Sequence, residues 1–211
     1  MTDFYIKKSN IEFNILINNN KLLPIKNNLS VFIFNKLKKN NLLNKGLFIR
    51  NNNNKYNNIS LPKNKKPIKI AFPDYYPNEY IVEFIIEFLE NLGYETKIYP
   101  YLLSDFLQLN QDRFDITLNL FNPLNNDELE YYLTYINFFH DNKEDEFIRL
   151  LNDVINNNNK NFELLDEYIQ LYSSRMPFGF VNHIYLKNNK LLNYQLDNND
   201  LFSFRKVNNY E

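Results

Sequence analysis

The chain has 211 residues, enough for one large domain or two small ones and for a substantial core. Its 44% hydrophobic and 23% charged residues are ordinary for a globular protein, and a net charge of -1 offers no basic face to nucleic-acid phosphates. With no cysteine, disulfides, thiolate metal sites and cysteine nucleophiles are excluded. The skew towards Asn, Lys, Ile, Leu, Phe and Tyr reads as the codon usage of a low-GC bacterium. On that reading the runs at 18–20, 51–54 and 156–159 are surface loops. The opening MTDFYIKKSN lacks a basic region followed by an apolar one, so no signal peptide is expected. No run reaches the roughly 18 apolar residues of a membrane helix, so no membrane insertion is expected. As it stands the chain is predicted to be cytoplasmic, and extracytoplasmic if it is a fragment of a longer gene product.

Residues 4–18 alternate. Ile11, Phe13, Ile15 and Ile17 are apolar while Glu12, Asn14 and Asn18 are polar, which predicts a strand with one buried face. Pro24 breaks the chain, and Leu29–Lys39 then reads as a short helix with Ser30 as N-cap. Leu42–Ile49 is expected to hold another helical turn ended by Gly46. Residues 50–67 are a linker by composition.

The stretch from Pro67 to Pro123 organises the rest. It reads as a strand (Ile68–Phe72), a helix (Glu79–Leu92) and a strand (Thr96–Tyr99), then a short helix (Ser104–Leu109) and a strand (Phe114–Phe121). That order is a parallel α/β unit. Asn78 is the expected N-cap, Gly93 the left-handed end, and Ile81, Ile85, Phe88 and Leu92 the apolar stripe. Three helices follow, at Asp127–Phe139, from within Asp141–Glu146 to Ile155, and from Phe162 to Tyr172, the last ended by Met176-Pro177. Phe178–Leu186 and Leu191–Leu196 read as a hairpin turned at Lys187–Lys190, with a last short strand at Leu201–Phe204.

Motifs that carry chemistry are scarce. His140 and His183 lack any metal-ligand spacing, and no Gly-x-Ser-x-Gly, P-loop or dinucleotide fingerprint occurs. Carboxylates such as Asp74, Asp105, Asp112, Asp115, Asp127 and Glu128 form no singled-out pair, so no enzyme activity, cofactor or metal is predicted. Ligands of open parallel sheets bind beyond the carboxyl ends of the strands. That rule selects Tyr75 and Tyr76 after the first α/β strand, and Asn119, Phe121 and Asn122 at the end of the third, as candidate ligand-binding residues.

The order of elements resembles the second half of the extracytoplasmic solute-binding proteins of the peptide and nickel type, solute-binding protein family 5. Tyr80–Lys97 is similar to that family's helix with its Leu-x-x-x-Gly-hydrophobic step into a strand, and Phe114–Leu118 to its "Tyr-Asp-hydrophobic" strand. Glu163–Phe180 resembles its late helix and proline-marked return. Phe13 through Pro24 to Leu37 resembles the strand and helix that begin its second lobe, and Asn58–Pro62 its linker. The resemblance implies an α/β fold, one lobe of a periplasmic-binding-protein-like type II fold. It would have a small, mostly parallel sheet flanked by helices, with a C-terminal β-hairpin. The implied divisions are residues 1–62, a lobe at 63–176 and a return at 177–211.

The implied function is a truncated or one-lobed solute-binding domain, taking a small peptide or other solute and related to ABC-transporter substrate-binding proteins. A missing first lobe or an ABC permease would be its partner. The alternatives are the ligand-sensing domain of a regulator, or a non-binding structural remnant or scaffold. The family carries a Trp and an Asp after its "Tyr-Asp" strand, where the Asp meets a peptide's amino terminus. Here Asn119–Leu124 (NLFNPL) has neither.

Overall fold

The computed structural model describes residues 2–38, 43–44, 66–75, 77–121, 128–156, 162–188, 191–192 and 208–209. The strands are β1 (Thr2–Ile17), β2 (Leu43–Asn44), β3 (Ile68–Pro73), β4 (Thr96–Tyr101), β5 (Ile116–Phe121) and β6 (Arg175–Asn188), with the short β7 (Leu191–Leu192) and β8 (Asn208–Asn209). The helices are α1 (Lys26–Lys38), α2 (Asn78–Asn91), α3 (Leu103–Phe106), α4 (Glu128–Leu133), α5 (Lys143–Asn156) and α6 (Glu163–Tyr172). Six strands form one sheet in the order β2-β6-β1-β5-β3-β4. The expected parallel unit is its β5-β3-β4 part, whereas β1 pairs antiparallel with both β5 and β6.

Period-two alternation assigns the two faces of this sheet. One carries Phe13, Ile15, Ile17, Ile68, Ile70, Phe72, Ile116, Leu118 and Met176, packed with α1 and α2 into the main core. On α1 the buried stripe is Leu29, Ile33 and Leu37, at i, i+4 and i+8. That helix starts at Lys26, so Ser30 is an interior, buried residue and not its cap. Pro24 sits inside a 3-10 turn (Asn20–Ile25) that leads straight into α1; the Asn19 side chain caps the turn by accepting from the Lys21 amide.

α2 is built much as its sequence predicts. Ile81, Val82, Phe84, Ile85, Phe88 and Leu89 are buried, while Leu92 falls beyond the helix and is 42% exposed. Gly93 adopts φ 82°, its amide donating to Glu90 O (2.8 Å) and that of Tyr94 to Leu89 O (3.0 Å). This double closure satisfies carbonyls the helix would leave unpaired. The predicted N-cap is wrong: Pro77 holds that position, and the Asn78 side chain instead donates to Pro73 O (2.9 Å), tying the helix to the end of β3. On the outer strand, Ile68 N donates to Glu95 O and Asp74 N to Tyr101 O, so odd residues of β4 face β3. Pro100 therefore lies on the open edge, where its missing N–H discourages strand addition.

The opposite face of the sheet carries Ala71, Thr117, Asn119, Glu12, Asn14 and Arg175. Phe106 and Phe114 cover it near Ala71, with Tyr99 and Tyr101 packed alongside. Over β1 and β6 lie α4–α6, which enclose a separate core of Tyr131, Tyr132, Tyr135, Phe139, Phe147, Leu151, Leu165, Tyr168 and Ile169. The first of these helices is shorter than expected, giving way to turns after Leu133. α5 opens with Glu144, Asp145 and Glu146 at its positive dipole end, as the acidic run suggested.

Two C-terminal expectations change. α6 ends at Tyr172 with Ser173 as its C-cap, and Met176-Pro177 belong to β6 rather than stopping the helix. Pro177 fits there because the β1–β6 register slips beside it, Phe13 pairing Gly179 and Asn14 pairing Pro177. Among the described residues the expected hairpin pairing is not seen. β6 pairs with β1 from one end to the other, and Leu191–Leu192 pairs with Asn208–Asn209. Of the predicted helical turn at Leu42–Ile49, Leu43–Asn44 is strand against β6. The strand at Leu201–Phe204 and the linker motif Asn58–Pro62 lie outside the described residues.

Candidate functional site

β3, β4 and β5 are parallel, so their carboxyl ends share one rim of the sheet, and Tyr101 pairs with Pro73 there. Just beyond β3, Tyr75 is half-buried, and its phenol pKa is raised by burial, partly offset by a hydrogen bond with Asn78. Asp74 and Glu79 flank the same turn. Their carboxyl groups share a hydrogen bond which, with the charge of Asp74, raises the pKa of exposed Glu79. The Asn78 carbonyl oxygen is buried without a hydrogen-bond partner. This corner of the rim is rich in acceptor oxygens.

Asn119 sits on β5, half-exposed, and its amide donates to Gln111 Oε1 (2.9 Å), which the Thr117 hydroxyl also approaches (3.4 Å). Its partner across the β1–β5 ladder is Asn14. Phe121 closes β5 opposite Glu12, its side chain outside the description, and Tyr76 and Asn122 lie outside the described residues. Tyr75 and Asn119 are thus at the strand ends that the sequence pointed to. Asp115, one of the carboxylates considered for chemistry, is consumed structurally. Its oxygens accept from Asn19 Nδ2 (2.7 Å) and the Lys69 amide (2.8 Å), joining β1, β3 and β5 at the opposite rim.

Sequence reasoning missed a buried polar network beside the rim. Glu12 (0% exposed) and Arg175 (2% exposed) meet at 3.3 Å. Glu12 also accepts from the Tyr131 hydroxyl (2.8 Å), which lies 3.0 Å from that of Tyr135. Arg175 donates to Asn14 Oδ1 (3.0 Å) and to the Thr134 hydroxyl (2.9 Å) and carbonyl (3.2 Å), its guanidinium 4.4 Å from the Tyr135 ring centroid. Burial pushes the Glu12 carboxyl from 4.5 up to about 7, against the pull of Arg175 and of hydrogen bonds from Tyr131 and Asn14. Burial also raises both tyrosines, and the Glu12 charge adds to it. Nearby, Lys26 is buried and donates to Ser173 O (2.6 Å) and Ile169 O (3.0 Å) at the end of α6; burial lowers its pKa from 10.5 to about 7. Glu12 and Asn14 looked like the solvent side of an alternating strand, and nothing local in the sequence shows that a helical layer covers them.

Among the described residues there is no cluster of three or more His, Asp or Glu able to hold a metal, and no helix long and apolar enough to cross a membrane. No protein-family model matches the sequence, and no curated protein matches it. Solved structures do. An oligopeptide ABC transporter periplasmic binding protein of Borrelia burgdorferi matches with TM-score 0.71 at 12% identity, over 99% of this chain and 50% of its own. The periplasmic binding protein DppA of Helicobacter pylori, in complex with peptide STSA, gives 0.68 at 14%, over 99% and 49%. NikA of Staphylococcus aureus, in complex with Ni(L-His)2, gives 0.64 at 14%, over 98% and 53%. The chain therefore spans about half the length of these solute-binding proteins, and over that half it shares their fold.

Proposed function

We propose that this chain is a solute-binding domain, one lobe of a clamshell, that receives a peptide or other small solute at the carboxyl rim of β3 and β5. The observation that carries the reading is the extent of the fold match: essentially the whole chain corresponds to half of proteins that hold a peptide or a nickel complex. Tyr75, Tyr76, Asn119, Phe121 and Asn122 are the proposed contacts. Asp74 and Glu79 stand ready to meet a donor group, in place of the Asp that Asn119–Leu124 lacks. A first lobe on another polypeptide, or elsewhere in a longer product, would close over the ligand, and an ABC permease would receive it.

The proposal is tested by thermal shift with tri- to pentapeptides, nickel–histidine and small sugars. A ligand binding only the folded chain stabilises it by RT ln(1 + [L]/Kd), so a millimolar ligand of ~10 μM Kd adds about 2.7 kcal/mol. No shift with any of them would contradict binding by this chain alone.

A further inference from the structure

The α4–α6 layer leaves the sheet after β5 and returns as β6, two strands that flank β1 on either side. Both ends of this excursion therefore lie about 10 Å apart, two strand spacings. The layer is braced within itself. Tyr132 donates to Asp166 (2.6 Å), Tyr168 to Glu146 (3.0 Å) and to Lys143 O (2.9 Å), and Glu144 accepts from the Asn137 amide (3.1 Å). Among the described residues its apolar core shares no buried residue with the core beneath the sheet. Among the described residues, polar contacts tie it down: Tyr131 to Glu12, Thr134 to Arg175, Lys26 of α1 to the carbonyls ending α6, and the Ser174 amide and hydroxyl to Phe138 O (2.7 and 2.9 Å), with the Tyr135 and Phe138 rings against the Arg175 guanidinium.

We propose that α4–α6 is a flap that opens as one body, latched to the sheet by Glu12, Arg175 and Lys26. Opening would separate two cores that are already separate and would break hydrogen bonds that water can replace, so it costs less than opening the sheet. The latch adjoins the ligand rim. Arg175 holds Asn14, the ladder partner of Asn119, and Glu12 pairs with Phe121. Flap position and rim shape are therefore coupled.

The latch is also sensitive to pH. Glu12 faces Arg175 from β6, Tyr131 and Tyr135 from the layer, and Asn14 on its own strand, while Asp166 acts on Tyr135. Among the described residues, Lys26 faces the carbonyl oxygens of Ile169 and Ser173. Closed, Glu12 holds a proton up to about pH 7 and Lys26 sheds one above it; open, each reverts towards its ordinary value. Closure is thus favoured below pH 5 and above pH 10 and is weakest near 7.

Hydrogen exchange on the full chain at pH 5, 7 and 9, corrected for intrinsic rates, tests this. At pH 7, amides of α4, α5 and α6 should be protected ~10-fold or more below those of β1, β3 and β5. That gap should narrow at pH 5 and at pH 9. Glu12→Gln should abolish the acid limb of the profile and Lys26→Met the alkaline limb, with Tyr131→Phe as a milder perturbation of the same latch. Equal protection of the layer and the sheet at every pH would overturn the flap. A pH profile untouched by Glu12→Gln and Lys26→Met would overturn the latch. Neither readout needs a ligand, so failure here is distinct from failure of the solute-binding reading.

Discussion

Removing Arg175 would leave the Glu12 carboxyl buried opposite two phenols with no cation. Breaking a buried pair from one side typically costs ~3–5 kcal/mol, whereas replacing both partners by apolar residues of similar volume is often near neutral. Arg175→Ala should lower the unfolding free energy by that amount in urea melts, and Glu12→Leu with Arg175→Met should recover much of it. A single-mutant loss below ~1 kcal/mol would mean water already reaches the pair. pH acts on the same groups. Folded Glu12 (about 7, against 4.5 unfolded) loses its contribution as pH rises from 4.5 through 7. Folded Lys26 (about 7, against 10.5) loses its contribution as pH falls from 10.5 through 7. Melting temperature should therefore show a trough near pH 7; Glu12→Gln should raise it at neutral and alkaline pH and leave it unchanged below about pH 4.5, and Lys26→Met should raise it at neutral and acid pH and leave it unchanged above about pH 10.5. A maximum at neutral pH would contradict both assignments.

At the scale of elements, α2 shows why local chemistry is readable. Its stripe, its following glycine and its flanking strands all appear in one stretch of sequence. Gly93 at φ 82° has open space where a Cβ would stand, so Gly93→Ala should cost only the left-handed strain, ~1 kcal/mol, with α2 otherwise intact by circular dichroism. Ile85→Ala, fully buried between helix and sheet, should cost ~2–5 kcal/mol. Elements whose identity depends on distant partners were less legible. β1 reads as a half-buried strand, yet both its faces are covered where Glu12 and Asn14 lie. β6 reads as half a hairpin, yet its partner is some 170 residues away in sequence. The Asn78 side chain was expected to cap α2 and instead holds β3, because the Pro73 carbonyl is within reach of its amide.

For the whole molecule, the parallel unit and the family likeness were visible in the order of elements, and structures with 12–14% identity share the fold. Identity that low carries the packing pattern and not the ligand, because a core tolerates many apolar substitutions while a site depends on a few polar atoms. Half of each similar chain has no counterpart here, so a lone lobe should bind more weakly than a closed clamshell, with fewer contacts and less exclusion of water. The rim should still contribute measurably. Titration of the full chain with peptides by calorimetry, for wild type and for Tyr75→Ala and Asn119→Leu, is the most direct measurement. The account predicts saturable binding that each substitution weakens ~10-fold or more, about 1.4 kcal/mol apiece. Saturable binding that neither substitution alters would put the site elsewhere, and no heat at millimolar peptide would contradict a binding lobe.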